Sequence, residues 1–536
     1  MKAVKVQMKV NQQNLVKTLR LGFSNPETVL SELLQNARRA GATAVNFTCQ
    51  GNCLTIEDDG CGIGDFQNLL SVAESGWDAE TIEREHPFGI GFLSALYSCR
   101  RITVISAGIT LSADTADILA FKPVGLAFAK RSRGTKITLE GVGLSHKAVN
   151  SKLWELARGF PIPVFFNEIS LDRPHAVSNA AFIKTEAGEI SLSGFNSRQP
   201  WENSGTYFVV YLQGLPIYKS SLHGNADMAS VIHLDSQKFN ARIPDRDKLI
   251  DEARVVNLVE AALQRHARAK FLELKAALSP EMFVAGCGAF RKWRCLDIIN
   301  DVPVLPSGLL CSIDDYPVID RGNDRKWFMS PYEKAVHRHE IEEGSVTVAH
   351  IDDDLDDGSG AIPWMFAWEA GMKIFRGNLD QGHWLHACVQ GLDSGISPVE
   401  IIGEKHRARF EGENITVDVV FCKSYRLTIG GQSVVIGDES IYDLRAGLIV
   451  VPHKDASGFV VRQVSGYQDE DGAFNDMLAD IDQDAFSTFV VANTASDPAV
   501  ALKKLLPQLH GCPQLYEKKF IIAVGKDGSI GDVRIA

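Results

Sequence analysis

A chain of 536 residues is longer than one hydrophobic core supports and calls for roughly three domains. Its apolar and charged fractions, 45% and 23%, are those of a globular chain, and a net charge of −12 argues against a nucleic-acid or anionic-membrane surface. The opening "MKAVKVQMKV" lacks the apolar run of a signal peptide, no stretch is apolar enough to span a membrane, and the ten cysteines form no Cys-x-x-Cys pair, so a cytoplasmic chain with reduced thiols is expected.

Val4, Val6, Met8 and Val10 alternate with polar residues and predict an opening strand, followed by a short helix over residues 15–21. Ser24-Asn25-Pro26-Glu27 is a helix-start signature, with Ser24 as cap and Pro26 in the first turn, and Gly41 is the matching stop. Between them Val29, Leu30, Leu33, Leu34, Ala37 and Ala40 share one arc, flanked by Glu32, Asn36 and Arg39. "TAVNFTCQ" and "CLTIEDDG" read as a hairpin turning near Gly51-Asn52. A polar stretch, 65–87, precedes a helix opened by "FGIGFLSALYS". "RITVIS", "ILAFKPV", "LAFAKRS" and "GTKITLEGV" read as successive strands, and a helix over 150–158 with "FPIPVFFNEISL" closes the first domain. This order predicts an α/β sandwich, a mixed sheet with helices on one face, over residues 1–172.

A second α/β unit is expected over 173–283, with strands in "YFVVYLQGLPIY" and "ASVIHLD" and a long helix over 252–278. Residues 284–536 read as a mixed, β-rich region of unassigned role, with "AVALKKLLPQL" helical and "KKFIIAVGKDGSIGDVRIA" a hairpin. "IDDDLDDGSG" is a solvated acidic loop, because it lacks the ligand spacing of a calcium loop. His337, His339, His350, His383 and His386 form no metal-ligand spacing.

Four pieces of the first domain stand in an order that ATP hydrolysis gives a use. Asp58, at a strand end, offers an acceptor for an exocyclic amine, and Gly60, Gly62 and Ile63 bring backbone close to the ring. Gly89, Ile90, Gly91 and Phe92 open a helix, where backbone N–H groups meet phosphate. Asn36 offers one oxygen to magnesium, and Glu32, one turn earlier, stands where an attacking water would need a base. Thr135 is placed to bond the base or a bridging water.

"ELLQNARRAGAT", "DDGCGIG", "FGIGFLSA" and "GTKITLEG" resemble, in order and approximate spacing, the four boxes of the GHKL ATPases. That superfamily includes type II topoisomerase ATPase subunits, heat-shock chaperones of the ninety-kilodalton class, sensor histidine kinases and MutL-type repair proteins. The resemblance covers roughly the first 140 residues. It implies a Bergerat-type α/β sandwich binding ATP and Mg2+. Glu32 would then be the general base, Asn36 the metal ligand, Asp58 the adenine anchor and residues 64–88 a lid. It also implies a transducer-like second domain whose basic side chain reaches the γ-phosphate on closure, for which Arg242, Arg246 and Lys248 in "FNARIPDRDKLIDEA" are the candidates. Asp245, Asp247 and Asp251 interleave with them, so a self-neutralised surface loop is the competing reading.

The first box departs from the family at Arg39, where an acid is usual. Arg39 either pairs with an acid elsewhere or contacts phosphate or Glu32 and slows hydrolysis. The functional expectation is an ATPase with a chaperone-like cycle, in which ATP closes the lid, docks the second domain and brings two N-terminal domains together as a homodimer. A MutL- or topoisomerase-like ATPase and a non-hydrolysing nucleotide sensor of a defence or signalling pair stand as alternatives. The client or partner protein is not legible. A sensor kinase is disfavoured, since only about thirty residues precede Glu32.

Overall fold

The computed structural model describes residues 6–23, 25–74, 76–85, 89–130, 133–195, 205–221, 225–242, 247–314, 316, 329–352, 361–452, 458–468, 473–506 and 511–536. The chain forms two compact units, one of residues 1–279 with 286–298 and the other of 280–285 with 299–536. The architecture is mixed α/β and multidomain, with a β-rich C-terminal region.

Residues 6–10 join no strand and stand exposed, in place of the expected opening strand. Their alternation suits a pleated surface, but among the described residues no neighbouring strand supplies the ladder that would fix it. Helix α1 (Gln12–Leu19) follows, capped by the Asn11 side chain. Helix α2 (Thr28–Arg39) buries Val29, Leu30, Leu33, Leu34 and Ala37, as the apolar arc requires. Ser24, its expected cap, lies outside the described residues, and the Asn25 side chain accepts the Glu27 N–H at 2.8 Å. The C-terminus closes as a Schellman motif, with Gly41 N–H to the Arg38 carbonyl and Ala42 N–H to the Ala37 carbonyl.

Strands β1 (Val45–Gln50) and β2 (Cys53–Asp58) form the expected hairpin, with Gln50 opposite Cys53 across the turn. The polar stretch after β2 holds two short helices, α3 (Phe66–Leu70) and α4 (Ala79–Glu85), and α5 (Leu93–Ser98) begins after the glycine turn. Strand β3 (Arg101–Ser106) pairs with β4 (Ile109–Asp114). The segment "ILAFKPV" is not a strand: α6 (Thr115–Leu119) occupies its start. A helical turn there lets Ile118 and Leu119 pack against the first core, and the Thr115 hydroxyl caps the Cys99 and Arg100 carbonyls. β5 (Leu126–Phe128), β6 (Thr135–Glu140), α7 (His146–Ala157), β7 (Val164–Phe166) and β8 (Ile169–Ser170) complete the sheet, in the order β5-β4-β3-β6-β2-β1-β7-β8.

One face of this sheet carries Val45, Phe47, Leu54, Ile102, Val104 and Leu139, all buried with the apolar faces of α2, α5 and α7. The other face carries threonines that pair across strands, Thr55 with Thr138 and Thr103 with Ser112. An apolar inner face and a polar outer face are what an antiparallel sheet needs to be covered on one side only.

A second sheet in the same unit runs β9 (Ile183–Thr185), β10 (Gly188–Ser191), β11 (Phe208–Leu212), β12 (Leu215–Lys219) and β13 (Ser230–Leu234), in the order β12-β11-β13-β10-β9, and α8 (Glu252–Ala277) follows. The end of α7 meets this sheet through buried polar contacts: the Tyr211 hydroxyl lies 2.7 Å from His175 Nδ1, and Arg158 bonds His175 and Asp227.

The other unit holds a five-stranded sheet over Leu310–Ile313, Met329–Pro331, Val348–His350, Lys373–Phe375 and Gln390–Gly391, and three- and four-stranded sheets between Glu400 and Val451. Helix Ala361–Glu369 buries Ala361 to Ala367 without interruption, so its sequence has no polar face to reveal a helical period. In helix Asp476–Thr494 the fully buried Asp482 carboxylate accepts the Glu413 and Asn414 N–H groups and the Tyr467 hydroxyl. The terminal segment forms the expected hairpin, Phe520–Val524 with Ile530–Ile535.

Leu34, fully buried on the sheet side of α2, tests that seating. Leu34→Ala should lower the unfolding free energy of the first urea transition by about 2–5 kcal/mol. A loss below about 1 kcal/mol would show that the helix is not seated there.

Candidate functional site

A cavity of about 520 Å³ opens between α2 and the first sheet. Helix α2 supplies Glu32, Asn36 and Arg39 to one wall, and Ile56, Asp58, Thr135 and Ile137 form the floor. Gly62 and Ile63 close one end, the 64–77 segment with Trp77 another, and the Gly89–Phe92 turn lies across from α2. The volume is that of a small-molecule site.

Glu32 is 3% exposed, with its carboxylate against the α-carbon of Gly91. A methyl group at Gly91 would overlap that carboxylate, so only glycine lets the turn approach α2 so closely. Gly89 has φ +67°, and a side chain there would strike the Glu74 backbone. The turn is tied to the segment after α3 by the Ala73 N–H to the Gly89 carbonyl at 3.1 Å. Helix α5, which it opens, is only 6 residues long, and its first N–H groups bond the Ile90, Gly91 and Phe92 carbonyls, so phosphate binding would rest on the N–H groups of the turn itself more than on a macrodipole. Asn36, one turn after Glu32, is half-buried and lines the same wall.

The two acids of "DDGCGIG" have different surroundings. Asp58 lines the cavity and accepts the Gly60 N–H at 2.9 Å. Asp59 faces the turn after α2, where it accepts the Thr43 hydroxyl and the Thr43 and Ala44 N–H groups. The Thr43 side chain and backbone together hold the Asp59 carboxyl below the usual carboxylate range. Gly60 does not line the cavity; it packs against Ala40 at the end of α2. The register places Asp58 opposite Thr135, and Thr135 opposite Ser106, on three adjacent strands. Ser106 was not singled out from sequence. Fully buried, it accepts the Ile63 N–H at 2.8 Å and donates to the Gly134 carbonyl at 2.9 Å, which ties the glycine loop to the start of β6.

Arg39 lines the cavity, yet its guanidinium is bonded to Glu85 of α4, Nε to Oε2 at 3.0 Å, with both side chains 2% exposed. Arg38 bonds the same carboxylate at 3.0 Å through Nη1. The pairing of Arg39 with a distant acid is therefore what the structure contains. Its partner is 46 residues away and had no local signal.

Of the three basic candidates of the second domain, Arg246 lies outside the described residues. Arg242 pairs with Asp247 at 3.2 Å and stands exposed, as does Lys248, and neither lines the cavity. For Arg242 the self-neutralised loop is the arrangement found. Among the described residues, the second sheet brings Gln213 to α2, in the β11–β12 turn, whose carbonyl accepts the Gln35 side-chain amide at 2.9 Å.

In the other unit, His383 and His386 sit at a 3₁₀ turn, with His383 Nδ1 accepting the Leu385 N–H. Burial and the neighbouring His386 lower the His383 pKa to about 4. His350, Asp352 and Asp393 bring ligand atoms within 4.8 Å of one another, a grouping with an exposed carboxylate that acids adopt without an ion. Most of the acidic loop lies outside the described residues. All ten cysteines are free, and no helix among the described residues is long and apolar enough to cross a membrane.

Residues 24–124 match the family of histidine kinase-, DNA gyrase B-, and HSP90-like ATPases. The match is to a GHKL-type ATPase domain, and it supports ATP binding and, at the general level, ATP hydrolysis. Among curated proteins none matches the chain.

Burial pushes the Glu85 carboxyl up, but the bonds and charges of Arg38 and then Arg39 outweigh it and hold the group below its ordinary value. A depressed carboxyl stabilises the fold above its unfolded pKa of about 4.3, and the contribution is lost as pH falls through the lower folded value. The stability lost in Glu85→Gln, roughly 2–3 kcal/mol, should therefore be constant between about pH 6 and pH 8 and shrink below about pH 4. A difference that grows on acidification would contradict this assignment.

Proposed function

We propose that the N-terminal cavity binds magnesium-ATP and hydrolyses it. The observation that carries this is the convergence of Glu32, Asn36, Asp58 and the Gly89–Phe92 turn on one cavity of about 520 Å³. Asp58 accepts a hydrogen bond from the adenine amine, with Ile56 and Ile137 beneath the ring and the Thr135 hydroxyl beside it. The N–H groups of the glycine turn take the phosphates. Glu32, in a nearly water-free position beside that turn, orients the attacking water and takes its proton as the γ-phosphoryl group leaves ADP.

The donor set suits magnesium, which keeps most of its ligands from water and phosphate and takes few from protein. Asn36 would hold the ion through its amide oxygen, and the ion would neutralise phosphate charge. The finer reading is a chaperone-like cycle in a cytoplasmic protein. ATP closes the 64–88 lid, docks the second domain, recruits a basic residue from 242–248 and pairs two N-terminal domains. The net charge of −12 weighs against a nucleic-acid partner. A non-hydrolysing sensor is weakened by the Arg39–Glu85 pair, which gives Arg39 a partner other than phosphate.

Phosphate release with magnesium-ATP tests the proposal, wild type beside Glu32→Ala, with nucleotide affinity measured on both. Turnover should fall roughly 100-fold or more in the variant while affinity stays within about threefold. Equal turnover in both would remove Glu32 from the reaction. Binding without turnover in the wild type would make the protein a nucleotide-gated switch.

A further inference from the structure

Helix α4 has little apolar attachment. Its one large aliphatic residue, Ile82, is 39% exposed, and among its described side chains only Thr81 and Glu85 are buried. Thr81 is used locally: its N–H and hydroxyl bond the Asp78 carboxylate that caps the helix. Among the described side chains of α4, the one that bonds the rest of the domain is Glu85. Its carboxylate takes Arg38 and Arg39 from the last turn of α2, and its backbone carbonyl accepts Gln213 Nε2 at 3.2 Å. Gln213 in turn lies 3.5 Å through Oε1 from Arg39 Nη2, and Gln35 Oε1 orients Arg38. The backbone of Gln213 has φ +54°, a conformation non-glycine residues rarely hold unless their surroundings fix it.

Three elements thus meet in one closed hydrogen-bonded set: the helix that carries Glu32 and Asn36, the last helix of the lid and the hairpin turn of the second sheet. We propose that Glu85, Arg39 and Gln213 form a positioning latch, through which the second sheet's hairpin holds lid helix α4 against nucleotide helix α2. The C-terminal end of the lid is thereby fixed, while Asn68, Ser71 and Trp77, which line the cavity, belong to the part that ATP would close. None of the three residues is a reacting group; they act by fixing where the lid stands relative to Glu32. The arrangement also accounts for a basic residue at position 39, since the latch needs a buried cation facing Glu85. Its effect on turnover rests on the ATPase reading above, whereas its effect on the lid does not.

The test uses the full chain without nucleotide. Amide hydrogen exchange is followed at residues 79–85 in the wild type, in Glu85→Gln and in Gln213→Asn. The asparagine tolerates the left-handed backbone but is one methylene short. Exchange there should rise about tenfold in both variants, and in Gln213→Asn the β1–β3 amides should keep wild-type rates. In phosphate release, kcat should drop about fivefold with KM within about twofold, because nucleotide contacts are untouched. Unchanged exchange at 79–85 in both variants overturns the latch. Raised exchange with unchanged kcat overturns its positioning role. If the wild type releases no phosphate, the ATPase reading fails and the exchange result alone decides the latch. Should Glu85→Gln speed β1–β3 exchange as much as exchange at 79–85, its global destabilisation hides the local effect and Gln213→Asn carries the comparison.

Discussion

Helix α2 has to bury an apolar stripe and a carboxylate at the same time. Val29, Leu30, Leu33, Leu34 and Ala37 seat it on the sheet, and Glu32 leaves the flank of that stripe almost without contact with bulk water. Taking a carboxylate out of water is expensive unless the surroundings answer it. Here Gly91 lets the turn approach because it lacks a side chain, which brings backbone against the acid. The remaining features of the site follow from that seating. The floor strands set Asp58 and Thr135 at adjacent positions, and Ser106 fixes the loop between them.

The same helix ends in two arginines, and their direction differs from that of Glu32. Both bond Glu85, so the last turn of α2 meets α4 and the second sheet at the cavity's edge, while its middle faces the cavity. A shift of α2 relative to either would be felt at both ends. This joins a local chemical site to larger elements through a rigid helix and a buried ionic contact, which have discrete rather than graded arrangements.

Much of this was legible in the sequence because it is written in local patterns. The arc of α2, the β1–β2 hairpin and the glycine turn have period or composition of their own, and four weak motifs in family order made one specific signal. Asp58, the acid at the strand end, lines the cavity as expected, and Asp59, one residue on, bonds the turn after α2. Features that depend on distant partners were not legible. Ser106 looked like the end of a strand, Glu85 like part of a polar lid and Gln213 like a hairpin residue. Each gains its role only when segments far apart in the chain meet. Segment 118–124 read as a strand because apolar residues there fit either period, and packing of Ile118 and Leu119 chose the helix. The helix at 361–369 was missed for the opposite reason, being apolar on every side.

The central claim is that the cavity recognises the adenine of ATP through Asp58. Calorimetric titration of ATP and of GTP into the wild type and Asp58→Ala tests it most directly. The account predicts that the wild type prefers ATP by at least about tenfold and that the variant loses this preference along with most ATP affinity. Equal affinity for the two nucleotides in the wild type, or an undiminished preference in Asp58→Ala, would contradict it.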